Sequence, residues 1–447
     1  MTTISKKQKE VLTKAKKQKT YTYEEVLESA VAYFNGDELA GTTWMNKYAM
    51  KDYEGEFVEK NPDDMHKRMA KEFGRIEADY KLKYNLNGSA KFLSKYGQER
   101  EDLTEAKVYN LFKEFGYIIP QGSVMSSLGN HYKLASLSNC IVVPELHDSY
   151  GGVFYTDQQL AQLFKRRCGV GVDISNLRPA GSSVSNAAGS TSGAVSFMNR
   201  FSHTTREVAQ NGRRGALMLS MDIAHPDVAD FITIKQDLQK VTGANISVRL
   251  SDEFMKAVES ESDYTHKWPI DSDDPQFTKT INAKELWNTI IQCAHNTAEP
   301  GLIFWDRQHW YSTSSVYPGY ENTSTNPCSE IAMQGGDSCR LIALNLYKFV
   351  ENPFTENAKF LMEDFYKATY EGQRLMDDLV DLETEAIERI LKKVEGDDEP
   401  ENYTELASQA PYQKAGVYLY GEHYIIPAVT WLASPLASLS ASAFYNV

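Results

Sequence analysis

Apolar residues in the first quarter of the chain recur at helical spacing. Met65, Met69, Phe73 and Ile76 fall three or four positions apart. Ahead of them, Asn61 offers an N-cap, Pro62 suits a first turn, and Asp63 and Asp64 complement the helix dipole. This predicts a helix starting at Pro62. Thr22-Tyr23-Glu24-Glu25 reads as a capping box that opens a helix through about Phe34. A third helix is expected from Glu105 to Phe115. Residues 1–115 therefore read as a mainly helical domain.

From Tyr117 the period changes. Short apolar runs alternate with Gly- and Ser-rich turns and longer helical segments. The runs include Ile141-Val142-Val143, Gly169-Val170-Gly171-Val172, Ala216-Leu217-Met218-Leu219-Ser220 and Asn245-Ile246-Ser247-Val248. Helices are expected at Asp157–Arg167, Ala194–Gln210, Asp252–Ser260 and Lys284–Ala298. A long one from about Glu363 to Val394 carries Leu375, Leu379, Leu382, Ala386 and Ile390 on one stripe. Strands alternating with helices indicate an α/β domain over residues 116–400, either an open sheet or a barrel. Residues 401–447 form a divergent tail: from Gln413 on, only Lys414 and Glu422 are ionic, and no period is evident.

Composition narrows the class. The chain has 447 residues, 42% hydrophobic and 24% charged, as in an ordinary globular protein. Its net charge of −14 argues against broad nucleic-acid or membrane binding, and no stretch approaches the roughly 18 apolar residues of a span. Seven lysines crowd the first twenty residues and read as a solvated terminus rather than a secretory signal. The five cysteines, Cys140, Cys168, Cys293, Cys328 and Cys339, are few and spread out. That usage suits a reducing compartment, the cytoplasm, rather than a disulfide scaffold. The nine histidines do not cluster, and no metal-ligand spacing is present.

Candidate chemistry centres on Asn326-Pro327-Cys328-Ser329-Glu330. In an extended backbone alternate residues share a side, so an amide, a thiol and a carboxylate would face one cavity. Pro327 favours an extended finger over a helix. Cys140, after Ser138-Asn139, and Cys339, after Gly335-Gly336-Asp337-Ser338, also lie in polar settings. On neighbouring strands their Cα atoms would come within the roughly 4.4–6.8 Å that a disulfide needs. The small-residue loop Gly181–Gly193 precedes a helix and reads either as a phosphate cradle or as a surface loop. Gly169-Val170-Gly171 is a lone G-x-G. Arg213-Arg214 reads as an anion contact or as ordinary salt bridges.

An ordered set of segments resembles the catalytic subunit of ribonucleotide reductase. It comprises Ser138-Asn139-Cys140, Arg166 to Gly171, Leu177 to Gly181, Gly212 to Ala216, Asn326 to Glu330 and Ser338 to Leu346, within a similarity from about Leu39 to Glu395. The resemblance implies a ribonucleotide-reductase-type α/β barrel, incomplete here, preceded by a mainly helical N-terminal domain. It implies that Cys328 becomes a thiyl radical and takes the 3′ hydrogen of the ribose. Glu330 would be the base for the 3′-hydroxyl proton, and Asn326 would orient the hydroxyls. Cys140 and Cys339 would reduce the 2′ position and close to a disulfide. Ser138, Asn139, Gly169 and Gly171 would contact the substrate, a ribonucleoside di- or triphosphate. Asp148, Arg178, Ser182 within the first effector loop and Lys235 at the start of the second would serve a dNTP or ATP effector. Cys168 and Cys293 match no catalytic position and are expected to be buried structural thiols.

Asn326-Pro327-Cys328, Trp44-Met45-Asn46-Lys47-Tyr48-Ala49 and Pro62-Asp63-Asp64-Met65 look more like the adenosylcobalamin-dependent branch. The alternative is a radical supplied by a separate metal-cofactor subunit. Full-length relatives continue well past this sequence, so a split, interrupted or shortened form is expected, with a second chain completing the barrel. A thioredoxin-like or small dithiol reductant and a homodimer are the other implied partners. The competing reading is a catalytically silent nucleotide-binding fragment.

Overall fold

The computed structural model describes residues 19–86, 100–208, 215–312, 315 and 317–395. The lysine-rich stretch through residue 18, Arg213-Arg214 and the 401–447 tail lie outside the described residues. The chain forms two compact units. One runs to Gly116 and includes Met125–Lys133; the other joins Tyr117–Val124 to the chain from Leu134 onward.

The first unit is helical: α1 (Tyr23–Tyr33), α2 (Glu38–Lys47), α3 (Pro62–Leu86) and α4 (Glu105–Phe112). The capping box at α1 is formed: Glu25 N–H donates to Thr22 Oγ1 (3.2 Å) and Thr22 N–H to Glu25 Oε2 (2.8 Å). Met65, Met69, Phe73 and Ile76 are all buried along α3. Helix α2 was not legible from periodicity, because its few buried residues include Gly41, where a Cβ would lie 2.9 Å from Val31 Cγ2. Helix α4 stops at Phe112 rather than Phe115. The next residues make a 3-10 turn in which Glu114 (φ 58°) and Phe115 (φ 51°) leave the right-handed region.

The second unit begins with β1 (Ile118–Pro120), then β2 (Cys140–Val142), α5 (Tyr150–Phe164), β3 (Gly169–Asp173), α6 (Met198–Glu207) and β4 (Leu217–Asp222). It continues through α7 (Val228–Thr233), β5 (Asn245–Leu250), α8 (Asp252–Glu259), β6 (Asp263–Trp268) and β7 (Phe277–Asn282). After α9 (Ala283–Thr297) come β8 (Gly301–Phe304), β9 (Ser324–Thr325), β10 (Ala332–Met333), β11 (Ser338–Cys339), β12 (Ile342–Leu344) and α10 (Met362–Glu395). Helix α5 starts seven residues before the expected Asp157. Ser149 caps it by accepting from Gly152 N–H (3.0 Å), and Gly152 is needed because a Cβ there would run into His147.

The main sheet has six strands in the order β11-β2-β3-β4-β5-β8. Strands β2, β3, β4, β5 and β8 are parallel, and β11 adds antiparallel at one edge. Side chains alternate across it with period two. Val170, Val172, Leu217, Leu219, Met221, Ile246, Val248 and Leu250 join a core with Leu160, Phe164, Met198, Phe201, Phe231 and Phe254 from the helices. The intervening positions are Gly169, Gly171, Asp173, Met218, Ser220, Asp222, Asn245, Ser247 and Arg249. This second face is small and polar, and it carries the site.

Candidate active site

The hairpin β9–β10 lies on that polar face. Ser220 Oγ donates to Asp173 Oδ2 (2.7 Å), so Ser324 Oγ, 2.9 Å away, is the donor to Ser220. Arg249 Nη1 donates to the Thr323 carbonyl (3.2 Å) at the foot of the hairpin. The same guanidinium pairs with Asp173 (3.3 Å) and Asp222 (3.2 Å) and stacks over the Trp305 ring at 4.6 Å. Burial pushes the Asp222 carboxyl up, with the Arg249 charge acting against it. At the tip, Asn245 Nδ2 donates to the Pro327 carbonyl (3.0 Å).

The glycines of β3 make room for this hairpin. A Cβ on Gly169 would lie 2.8 Å from Pro327 Cγ, and one on Gly171 would overlap the Thr325 carbonyl. The G-x-G thus has a packing cause: backbone approaches backbone where no side chain fits.

The expected extended run at Asn326–Glu330 is corrected. These residues make the turn of the hairpin. Ser329 N–H donates to the Asn326 carbonyl (3.0 Å), and Ser329 sits at φ 67°. Pro327 occupies the second position of this turn, where its fixed φ is favoured. Simple alternation therefore does not set the side-chain directions. Asn326 is fully buried, whereas Cys328 is exposed. Asn326 Oδ1 accepts from Ile331 N–H (3.1 Å), and its Nδ2 points to Cys140 Sγ at 3.6 Å. Glu330 Oε2 is buried without a hydrogen-bond partner among the described residues.

Cys140 and Cys339 are direct partners across the antiparallel β2–β11 pair. Opposite residues in such a pair have Cα atoms about 4.5–5.5 Å apart, inside the disulfide range. Both thiols are free and buried. The Cys339 thiol is pushed well up by its hydrogen bond with Cys140, by burial and by the nearby charges of Cys140 and Glu330, with Arg340 opposing. The pair and the hairpin thus form one small cluster with Val142, Ile331 and Met333.

Behind Cys140 lies a feature that periodicity did not reveal. Glu383, fully buried on α10, accepts from Ser136 Oγ, from Leu137 N–H and from Ser138 Oγ (3.2 Å). Burial pushes its carboxyl up, with the Arg340 charge and the hydrogen bonds it accepts acting against it. Its signal was present: Glu383 stands four residues after Leu379 on the apolar stripe, a position where a carboxylate demands partners. Ser138 is therefore engaged with Glu383. Asn139 accepts from Ser123 N–H (2.7 Å), and its own N–H donates to the Cys339 carbonyl (2.8 Å). Cys168 is buried, and burial pushes its thiol up to about 12. Cys293 is also buried.

Elsewhere in the unit, Asp148, Arg178, Ser149, Tyr150, Leu177, Phe197 and the loop residues Val184 to Asn186, Ser190 and Thr191 line a cavity of about 230 Å³. Arg178 Nε donates to Asp148 Oδ2 (2.7 Å), and its Nη1 donates to the Ser183 carbonyl (3.0 Å). Ser182 does not line this cavity; its carbonyl closes the loop by accepting from Thr191 N–H (3.0 Å). Lys235 does not line it either, because its ammonium pairs with Glu299 and the Ala244 carbonyl.

A mainly parallel sheet, a buried pair of thiols on two of its strands and a cysteine-tipped hairpin across its polar face define the site. The sequence of residues 138–397 matches the family model of the ribonucleotide reductase barrel domain. The chain belongs to the ribonucleotide reductase family, and its sheet is an incomplete barrel of that family. It is 32% identical over 384 residues to a vitamin B12-dependent ribonucleoside-diphosphate reductase of Thermoplasma acidophilum, covering 77% of this chain and 49% of the relative. A Mycobacterium tuberculosis protein of the same name is 34% identical over 220 residues, 48% of this chain and 31% of the relative. The ribonucleoside-diphosphate reductase large chain 2 of Saccharomyces cerevisiae is 26% identical over 296 residues, 60% of this chain and 33% of its own. The chain thus spans about half or less of the curated relatives it matches. Among the described residues no helix is long and apolar enough to cross a membrane.

Proposed function

We propose that this chain carries the thiol half of a ribonucleotide reductase active site and reduces a ribonucleoside di- or triphosphate to its 2′-deoxy form. The carrying observation is the Cys140–Cys339 cross-strand pair, with Asn326 Nδ2 at 3.6 Å from one sulfur and Glu330 acting electrostatically on the other.

In this reading Cys328, as a thiyl radical, takes the 3′ hydrogen atom of the ribose. Glu330 accepts the 3′-hydroxyl proton, which lowers the cost of expelling the 2′ oxygen as water. Asn326 orients the hydroxyls. Cys140 and Cys339 supply two electrons and two protons, become a disulfide, and Cys328 returns its hydrogen to C3′. The overall balance is ribonucleotide plus dithiol giving deoxyribonucleotide, water and disulfide. An external dithiol of the thioredoxin or small-molecule type then resets the pair by exchange.

The exposure of Cys328 fits a radical source that approaches the hairpin tip from outside. Several relatives are named vitamin B12-dependent, and adenosylcobalamin, a form of that vitamin, is the favoured source; it would supply, when bound, the radical that converts the Cys328 thiol to a thiyl. No described residue is assigned to hold the corrin. A separate metal-cofactor subunit would serve the same thiol.

A thiyl radical must be enclosed, and the tip of this hairpin is open. Strand β8 is an edge of the sheet, with Leu302 and Phe304 exposed on it. We therefore assign the rest of the enclosure to further barrel polypeptide, on a second chain or in a longer form of this one. The cavity beside Asp148 and Arg178 is read as the dNTP or ATP effector site. A test combines the chain with the polypeptide matching the remainder of its relatives, adenosylcobalamin, dithiothreitol and all four ribonucleotides. Deoxyribonucleotide with matching dithiol consumption is expected. Its absence from a folded, cofactor-loaded complex would contradict the proposal.

A further inference from the structure

The turn between β4 and α7 takes no part in the chemistry above, yet it holds three backbone points around the nucleotide cavity. His225 is fully buried. Its Nδ1 accepts from Asp227 N–H (3.0 Å), so Nε2 carries the proton and donates to the Leu177 carbonyl (2.8 Å). The Asp227 carboxylate accepts from Ala180 N–H (3.0 and 3.1 Å to its two oxygens) and from Ala194 N–H (3.0 Å). Ala180 and Ala194 flank the Gly181–Gly193 loop. One carboxylate therefore closes both feet of the loop whose residues form a wall of the cavity.

Two observations show that this clasp is specific. Asp227 stands at the N-cap of α7, where an aspartate would ordinarily accept from the helix's own amides, but it makes no such bond. Its oxygens are turned instead to the loop. Gly193 lies at φ +86°, and a Cβ there would meet Asp227 Oδ2 and lie 2.6 Å from Ala180 N, so the loop's foot is shaped around the carboxylate. Within the loop, Gly181 N–H to Thr191 O (2.9 Å) and Val184 N–H to Gly189 O (3.1 Å) make a stiff ribbon. Its placement against Asp148, Ser149 and Tyr150 depends on how its feet are held. Helix α7 then leads into a 3-10 turn at Ile234–Gln236, where the second loop expected to serve the effector, Lys235 to Gly243, begins, so the clasp lies between the two loops in sequence.

We propose that Asp227, supported by His225, is a positioning residue for the nucleotide cavity: it fixes the 181–193 wall without touching the ligand. This rests on reading that cavity as the effector site. Because the clasp touches no base, its loss weakens every nucleotide by the same factor.

The test measures equilibrium binding of dATP, dGTP and dTTP to the 447-residue chain. Wild type is compared with Asp227→Asn and with Asp230→Asn, an exposed neighbour on the same helix. An asparagine oxygen can still accept from one foot, but its NH2 faces the other amide, and loss of a charged hydrogen bond corresponds to about a tenfold weakening. The expected result is a similar loss of about tenfold for each bound nucleotide, faster amide exchange at Ala180 and Ala194, and no change for Asp230→Asn. If Asp227→Asn does not fold, His225→Gln weakens the same clasp from the Leu177 side and is held to the same outcome. Wild-type binding with unchanged affinity in the folded variant overturns the clasp alone. A variant whose losses differ between bases also overturns it. A wild-type chain that binds none of the three overturns the cavity reading and the clasp with it.

Discussion

Cys140 and Cys339 face one another directly across two antiparallel strands, both thiols free and buried. They are 199 positions apart in sequence, and the fold brings them to disulfide distance without moving a strand. Mild oxidation with a diamide-type reagent is therefore expected to give one disulfide, Cys140–Cys339, in peptide maps. Exposed Cys328 should be the first thiol alkylated, while buried Cys168 and Cys293 stay unmodified in the folded chain. A principal disulfide involving Cys168 would contradict this geometry.

Gly171 and the Thr325 carbonyl fix the height of the hairpin above the sheet. Gly171→Ala is expected to lift it, at a cost of about 1–3 kcal/mol from overpacking. Reduction in the reconstituted system should fall by about 100-fold or more, since small misplacements of reacting groups cost that much. Activity assays and denaturant titration check the two effects separately; a variant with full activity would show that the hairpin is not seated on β3.

Arg249 neutralises Asp173 and Asp222 beneath the hairpin. Arg249→Met leaves two carboxylates facing each other in a buried site. The expected loss is about 3–5 kcal/mol, the usual cost of removing one partner from a buried ion pair. Urea unfolding monitored by circular dichroism measures it. A loss below about 1 kcal/mol would mean the cluster is well solvated.

His266 is buried beside Tyr264 with neither ring nitrogen hydrogen-bonded among the described residues, and burial holds its pKa down at about 4. Its unfolded value is about 6.5, so between these limits the unfolded chain binds the extra proton. This contribution to stability is present above about pH 6.5 and is lost as pH falls toward 4. His266→Leu removes it. Between pH 8 and pH 5 the variant should gain about 2 kcal/mol relative to wild type. A pH-independent difference in melting would show that the ring is solvated in the folded state.

Much of the architecture was legible because it follows local rules. The caps at Thr22 and Asn61, the α10 stripe and the apolar runs of β2 to β5 carry their signals in sequence. The β6–β7 hairpin was missed although Tyr264, His266 and Trp268 alternate with polar neighbours. The motif Asn326–Glu330 was found as chemistry but misread as extended, because proline favours both a finger and a turn, and only Ser329 at positive φ decides. Glu383, Arg249 and Asp227 were not found at all. Each is a charged residue whose partners lie tens to hundreds of positions away, so their pairing depends on the tertiary fold. The polar alternation in Gly169-x-Gly171-x-Asp173 and Asn245-x-Ser247-x-Arg249 was the available clue to the second face of the sheet.

Cys328 is proposed above as the radical-bearing thiol. Cys328→Ser keeps the size of an exposed side chain and removes only the sulfur. In the reconstituted system with adenosylcobalamin and dithiothreitol, this variant is expected to make no deoxyribonucleotide while binding dNTP at the Asp148–Arg178 cavity like wild type. Substantial reduction by Cys328→Ser would contradict it.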